Sequence, residues 1–556
     1  MIYGMDSKKS DKGLIVIFFF LAALAFGVFF CCLKSGFAID ELITIGQANS
    51  SKGGWIRDVR EEYTDGVMIG HPITGKELFE FLTVSNDERF NVVSPYLNLA
   101  TDCHPPLYHM LLKVASSFVT SSFSKWPGLV LNLIIFMLCN LLVYKICNKI
   151  FNDRLASSVT MLLYAISLSS LSSLIFIRMY ILLSLMTLLL MYEVMLILEK
   201  PRPVIYPAVT LTILMGMFTQ YNYVFAAFFF CLVTLVVLLK RKQIKTALFF
   251  SVSALLGVGL LIPVFPAIFT QFNFGVAEGS TVSVNSTMNN ILDFASYPAT
   301  FAMNIQILLS DSMAAVVIVI LAAMICLCVK MYLEYRKSSK GEDYDKYKIP
   351  SDNNAKTILI MTAVTLVLSF VCIALSVSFP DQRYLHHLQA LIYPFVCLVI
   401  CIMMHNFRLI SAKVKNVVTV VLVIAVLGAS IRAVAVRSLP YLFTEYPSYQ
   451  KTLDEYTHCP CLYVDPEHYD MIDAAALQFL VRSDDVFITN PTNLSSDELK
   501  KYVEEHADNG KLLVYIFDLK GKEGEILDYL SSSFGYKVSK PLFTSVRVPC
   551  YLITVS

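Results

Sequence analysis

Two clusters of ionisable residues stand out in a chain that is otherwise mostly apolar. The first, Asp40-Glu41, follows directly on the apolar run Leu14–Leu33; the second, Asp102-Cys103-His104-Pro105-Pro106-Leu107-Tyr108, closes the polar stretch from Phe37 to Lys113. Carboxylates and imidazoles move protons, and ionisable groups kept beside hydrocarbon are costly enough to mark function. Adjacent side chains on a helix or strand do not share a face, so Asp40 and Glu41 cannot both aim at one point. At the second cluster several roles stay open. His104, only partly charged near neutral pH by its ordinary pKa, either binds an anion or fixes the loop, with Pro105-Pro106 stiffening the start of the next helix. Asp102 positions an acceptor, binds a metal together with Asp40, or caps that helix.

These residues need a scaffold, and composition says which kind. With 556 residues, 56% hydrophobic, 16% charged and a mean hydropathy of +0.63, the chain is far from the roughly 25% charge of soluble domains. It reads as a polytopic membrane protein. A net charge of +1, with no basic block, argues against a nucleic-acid partner. Most of the 14 cysteines lie in apolar runs, and no CxxC pair occurs. Cys103, Cys459, Cys461 and Cys550 lie in polar regions, so one disulfide is allowed and none required. The basic Lys8, Lys9 and Lys12 precede an apolar run too long for a signal-peptide h-region of roughly 7–15 residues, and no small-x-small site follows, so the segment reads as a retained anchor.

Ten further apolar stretches fall at 127–147, 155–176, 179–198, 204–220, 223–239, 246–270, 312–333, 356–379, 388–404 and 416–436, each near the ~20 residues that cross a bilayer. With a cytoplasmic N-terminus, all five inner loops are basic: Lys145/Lys149/Arg154, Lys200/Arg202, Lys240-Arg241-Lys242 with Lys245, Arg336 to Lys348, and Arg408/Lys413/Lys415. That is the charge bias expected of cytoplasmic loops. The loop 34–126, the 271–311 segment, the Pro380–Arg383 turn and the tail then face outward. The long first loop should carry structure of its own. Gly75 to Thr83 and Pro106 to Phe118 suit short interfacial helices, the first equally a surface helix of a small subdomain. After Arg437 the composition becomes that of a soluble protein. Strand-like runs Cys461–Val464, Val486–Thr489, Leu512–Phe517 and Tyr551–Val555 alternate with helix-like Met471–Val481, Ser496–His506 and Gly524–Phe534, which predicts a small α/β domain without a nucleotide signature. The expected architecture is mainly α: a membrane helix bundle of about eleven spans over 1–440, with a large exoplasmic loop at 34–126, and an α/β domain at 441–556.

At Asp40-Glu41 and Asp102–Lys113 the sequence resembles the membrane glycosyltransferases of the C-type fold, in particular the protein O-mannosyltransferase and aminoarabinose transferase superfamily. That superfamily places an Asp-Glu pair after the first span and a His-Pro-Pro-Leu or Lys-Pro-Pro element at the end of the same loop. Further matches are Ile177-Arg178-Met179-Tyr180, Thr219-Gln220-Tyr221-Asn222-Tyr223 and Gln382-Arg383-Tyr384, so the resemblance covers roughly residues 1–440. One departure is Gln220, where bacterial relatives carry His; Gln cannot act as acid or base there.

The resemblance implies inverting transfer of a sugar from a polyprenyl-phosphate carrier to a hydroxyl of a glycan, lipid or protein acceptor, on the outer side of a cell membrane. The leaving phosphate is already a stable anion, so one base and one anion clamp suffice, unlike the two carboxylates of glycosidases. The resemblance puts the base on Asp40. Arg178, Arg383 and His104 are the phosphate-binding candidates, with Glu41, Asp102, Tyr180, Gln220 and Tyr384 in support. No cofactor is required, and a divalent metal stays open. For Arg178 the alternative is an interfacial anchor, and for Arg383 a simple pairing with Asp381. Two other classes compete: a transporter or flippase for a lipid-linked sugar, and a non-catalytic envelope scaffold. The sequence identifies neither sugar nor acceptor.

Overall fold

The computed structural model describes residues 3–56, 70–151, 153–274, 301–308, 353–376, 381–406, 428, 431, 439–456, 459–464, 476–491, 493–506, 511–517, 521–545 and 548–555. The expected spans at 312–333 and 416–436, most of the 271–311 segment and the last two basic loops lie outside the described residues.

The protein is a mainly helical integral membrane protein. Among the described residues six helices are long and apolar enough to cross a bilayer: Gly13–Leu33, Trp126–Ile150, Tyr180–Glu199, Tyr223–Lys240, Ile244–Val264 and Thr357–Ser376. They belong to α1 (Tyr3–Leu33), α6 (Trp126–Phe151), α9 (Tyr180–Glu199), α11 (Tyr223–Lys240), α12 (Ile244–Gly259) continued by α13 (Leu261–Val264), and α15 (Asn353–Ser376). The expected span at 155–176 is two helices, α7 (Arg154–Ala165) and α8 (Leu168–Ile175), bent by 56°. The bend has a local cause: Ser167 caps α8 by accepting a hydrogen bond from Ser170 N at 3.2 Å, so a new helix starts where the old one would have run on. The stretch 204–220 forms α10 (Ile205–Thr219), 15 residues long, and 246–270 breaks before α14 (Ile268–Phe274). The stretch 388–404 lies within α16 (His386–Asn406). At the centre stands α9, packed by α6, α10, α11 and α16 and buried over most of its length.

Between α1 and α6 the first loop folds into α2 (Ile39–Asn49), the two-residue strand β1 (Pro72–Ile73), α3 (Gly75–Leu82), α4 (Val93–Ala100) and α5 (Leu107–Ser116). A reciprocal capping box starts α3: Thr74 Oγ1 accepts from Glu77 N at 3.3 Å while Glu77 Oε2 accepts from Thr74 N at 2.9 Å. Gly46 lets α2 and α3 meet, because a Cβ there would lie 1.9 Å from the Phe81 ring. Helix α3 buries Leu78, Phe81 and Leu82 in the protein, the surface-helix alternative, and α5 is wedged between α2 and α6 with Leu107, Tyr108 and Leu112 buried. The open apolar surface belongs instead to α4 and its neighbours, where Phe90, Val93, Leu97 and Phe118 are exposed.

The tail contributes β2 (Cys461–Val464), β3 (Val486–Thr489), β4 (Lys511–Ile516), β5 (Tyr536–Val538), β6 (Phe543–Ser545) and β7 (Val548–Val555), with α17 (Tyr446–Leu453), α18 (Leu477–Leu480), α19 (Asp497–His506) and α20 (Glu523–Phe534). The seven strands form one sheet in the order β1-β3-β2-β4-β7-β5, with β6 on β7. Strand β2 runs parallel to β3 and β4, and β7 antiparallel to β4. The sheet does not keep to the 441–556 segment: its edge strand β1 comes from the first loop and pairs Ile73 with Val486. Gly75 seals this joint, its N–H donating to Ser483 O at 3.1 Å where any Cβ would lie 2.1 Å from that oxygen. Gln478 clamps the backbone of Phe37 from both sides, accepting from its N at 3.0 Å and donating to its O at 3.3 Å.

Candidate active site

Helix α2 starts one residue before Asp40, so Asp40 and Glu41 occupy its first turn and leave it in different directions. Asp40, 35% exposed, faces Arg178 Nη1 at 3.7 Å and accepts a hydrogen bond from Arg383. Arg178 sits in the turn between α8 and α9. Its Nη1 also donates to the Asp40 carbonyl and to Thr44 Oγ1, both at 3.0 Å, which ties the guanidinium to α2. Arg383 lies in a short 3-10 turn, Gln382–Leu385, capped by Asp381 Oδ1 on Arg383 N at 3.0 Å. Its Nε meets Asp381 Oδ2 at 3.2 Å, and Nη2 donates to the Tyr384 hydroxyl at 3.3 Å. Arg383 thus makes the pairing with Asp381 that was its alternative reading, and it also reaches Asp40. Tyr180 stacks on Phe176 and meets Tyr384 edge-on, so both tyrosines wall the arginine side. Partial burial pulls Asp40 toward neutrality, but Arg178, Arg383 and His104 outweigh it and hold its carboxyl below the usual carboxylate range.

Glu41 has no exposed surface. It takes Lys34 Nζ at 2.9 Å, Ala38 N at 2.7 Å and Ile177 N at 2.7 Å. The last bond fixes the residue before Arg178, so Glu41 positions the guanidinium that its neighbour uses. Lys34 in turn donates to the Tyr441 carbonyl at 2.7 Å. Tyr441 adopts φ +75° and stacks on Phe176 at 4.0 Å, a left-handed conformation unusual for a bulky residue and characteristic of functional sites. Burial drives Glu41 up and Lys34 down against their mutual attraction.

On the other side of Arg178 lies the second cluster. His104 Nδ1 meets Asp102 Oδ2 at 2.9 Å, with Cys103 Sγ at 3.3 Å, and His104 Nε2 lies 3.4 Å from Arg178 Nη2. Burial opposes charge on His104, yet the Cys103 sulfur and Asp102 carboxylate outweigh it and push the ring up to about 10. Asp102 at its back favours the charged ring. In the neutral ring Nε2 accepts from Arg178 Nη2; with the ring charged, both N–H groups point into one space, an arrangement that an anion completes. Asp102 does not cap α5, whose N-cap residue is Pro106 without a side-chain cap bond. Gln271 Nε2 donates to Leu99 O at 2.6 Å and His104 O at 3.4 Å, while the Tyr221 hydroxyl donates to Gln271 Oε1. Gln220 turns inward, its Oε1 accepting from Tyr221 N at 3.1 Å. The Thr219–Tyr223 turn thus reaches the cluster through Tyr221 rather than Gln220.

Sequence reasoning missed Lys34, Thr44, Tyr221, Gln271 and Tyr441. Tyr221 stood inside a quoted motif and was within reach; the others carry no local signal. Asp102, Cys103 and His104 bring three metal-type donor atoms within 4.8 Å of one another; a shared ion there would replace the Asp102–His104 hydrogen bond. Cys103, Cys459, Cys461 and Cys550 are all free thiols.

No family model and no curated protein matches the chain. Among solved structures it is similar to ArnT from Cupriavidus metallidurans in the apo state, with 9% identity and a TM-score of 0.45 over 84% of this chain and 93% of that one. It is likewise similar to ArnT from the same organism bound to undecaprenyl phosphate, with 11% identity and a TM-score of 0.47 over 97% of each chain. Both scores lie below one half, and the functional reading rests on the chain's own residues.

Proposed function

We propose that the protein is a membrane glycosyltransferase that moves a sugar from a polyprenyl-phosphate carrier to an acceptor hydroxyl, with inversion, on the exoplasmic side of the membrane. The observation that carries the reading is one carboxylate, Asp40, open to solvent on one side and held between Arg178 and Arg383 on the other. In the step we assign, Asp40 takes the acceptor's hydroxyl proton as that oxygen bonds to the anomeric carbon. The bond from that carbon to the carrier phosphate breaks, and its electron pair leaves with the phosphate.

The charges balance through the step. The phosphodiester gains negative charge as it becomes a monoester, while Asp40 loses its own by protonation. Arg178 and Arg383, which face Asp40 beforehand, turn to the leaving phosphate, where a planar guanidinium matches two oxygens. A base held too acidic by two arginines thereby becomes basic as the phosphate draws them away. His104, backed by Asp102, contributes a third cation. Pro105 and Pro106, both buried, hold the turn that presents it.

The cluster gathers at helix ends, on the opposite side from the basic turns around Lys200 and Lys240–Lys242, which supports an exoplasmic site. A transporter keeps its binding groups near the bilayer midplane. The test incubates purified protein with a panel of polyprenyl-phosphate sugars and detects released lipid phosphate. Release by the wild type and its loss in Asp40→Asn, with protein level and topology unchanged, are expected. Undiminished release by Asp40→Asn would remove the mechanism, and transmembrane movement of the carrier without release would favour a flippase.

A further inference from the structure

A second concave site lies in the first loop, away from the arginines. Helix α2, which presents Asp40 in its first turn, ends at Asn49, nine residues on or about 14 Å along its axis. There the last turn of α2, the outer face of α3 and the turns at Ser85 and Ser121 enclose a cavity of about 470 Å³, within the ~300–1,000 Å³ typical of ligand sites. Its floor is rigid. Asn98 Nδ2 donates to Gln47 O at 3.0 Å and to Ser50 O at 2.9 Å, and the buried Lys113 Nζ donates to Asn49 O at 2.8 Å. The carbonyls that a helix C-terminus leaves open are thus taken by side chains, and the cavity exists before any ligand arrives.

The lining selects the chemistry. Lys52 and Lys76 are balanced by Glu80 and Glu88, and Lys52 pairs with Glu80 at 3.6 Å across the rim. A strongly anionic ligand would meet two carboxylates, and an apolar one would strip water from four charged groups and several hydroxyls. What fits is a neutral, hydroxyl-rich molecule with an apolar face to lay against the Phe79 ring, which half-emerges beside the buried Phe81. We propose that this cavity binds neutral sugar units of a glycan acceptor, in the same first loop that carries Asp40. The inference rests on the glycosyl-transfer reading and names the acceptor class for it: an oligomeric, uncharged glycan rather than a single small alcohol.

The experiment uses the full chain in lipid nanodiscs and titrates neutral oligosaccharides from di- to pentasaccharide, beside the same glycans ending in a uronic acid. Saturable binding of neutral members is expected to be equal in wild type and Asp40→Asn. It should weaken at least tenfold in Ser51→Trp, which fills the cavity from its exposed rim, and in Phe79→Ala, which removes the aromatic wall. In transfer assays Ser51→Trp should raise the acceptor KM well above any change in donor KM. No binding across the panel, equal binding by both cavity variants, or preference for the acidic glycans would overturn the site. Full transfer by Asp40→Asn with the binding pattern intact would overturn only the catalytic reading, so the two failures are separable.

Discussion

Asp40 and Glu41 are neighbours in sequence, carry the same functional group and stand in the same helical turn, yet they live in opposite surroundings. Glu41 is sealed: one ammonium and two backbone amides take its oxygens, and none of its surface is open. Asp40 keeps 35% of its surface open and faces two arginines, neither of which is its alone. Arg383 also serves Asp381, and Arg178 also serves Thr44 and faces His104. A carboxylate sealed among buried partners, out of a substrate's reach, can only hold the fold together. One whose partners are shared, and which a substrate can reach, can change partners during a reaction. The difference comes from the helix, which turns each successive side chain by about 100° and so sends one carboxylate inward and the other to the rim.

The strongest way to break this contrast is to remove each charge in turn. Asp40→Asn keeps the shape and is expected to lower the transfer rate by ~10²–10⁴-fold, the contribution of a positioned base, with the protein still folded and inserted; rates from single-turnover sugar release check it. Lys34→Met does the reverse. It leaves Glu41 buried without its cation, and breaking such a pair costs ~3–5 kcal/mol. Denaturant titration in mixed micelles should show that loss, and Lys34→Met combined with Glu41→Leu should recover part of it. If Lys34→Met unfolds at the wild-type denaturant concentration, the assignment of Glu41 to the fold fails.

Much of this was legible in the sequence, for identifiable reasons. Runs near 20 apolar residues have no cheaper place than a membrane, so the long helices could be read directly. Helical geometry separates Asp40 from Glu41, and the choice of Asp40 between them came from the resemblance. The convergence of Arg178 and Arg383 was not legible, since they stand 138 and 343 residues from Asp40 along the chain and no local pattern encodes a contact of that separation. The same holds for β1, two residues long, which is a strand only because β3 lies beside it. Which surface α3 and α5 bury could not be read, because an amphipathic face has the same pattern whether it meets lipid or protein. The charge of His104 could not be read, because it depends on a carboxylate 2.9 Å away and not on the residue type alone.

A smaller effect sharpens the shared-partner side of the contrast. Arg383→Lys retains the positive charge but not the fork that spans Asp40, Asp381 and an incoming phosphate. Hydrogen bonds to charged groups contribute about 1.5–3 kcal/mol each, so the donor KM should rise by roughly tenfold to a hundredfold, at 1.4 kcal/mol per decade. The acceptor KM should move less. Initial rates at varied donor and fixed acceptor separate the two, and an unchanged donor KM would return Arg383 to a purely structural pairing with Asp381.

The smallest predicted effect is a dependence on pH, and its sign follows from His104. Its folded pKa is raised, from an ordinary 6.5 to about 10, so the stabilisation it gives is fully present below pH 6.5 and is lost as pH rises through about 10. Donor binding should follow the same curve, since deprotonation removes one cation facing the phosphate. Asp40 contributes nothing over this interval, because its depressed pKa keeps it ionised throughout; its own stabilisation is lost only in acid, as pH falls through the folded value. The donor KM should therefore be flat through neutral pH and climb several-fold on approaching pH 10. In Asp102→Asn the climb should begin near the ordinary histidine range, because the carboxylate that holds the proton is gone. A profile that stays flat to pH 10 in the wild type, or one that Asp102→Asn does not move, would mean that His104 serves the loop and not the phosphate.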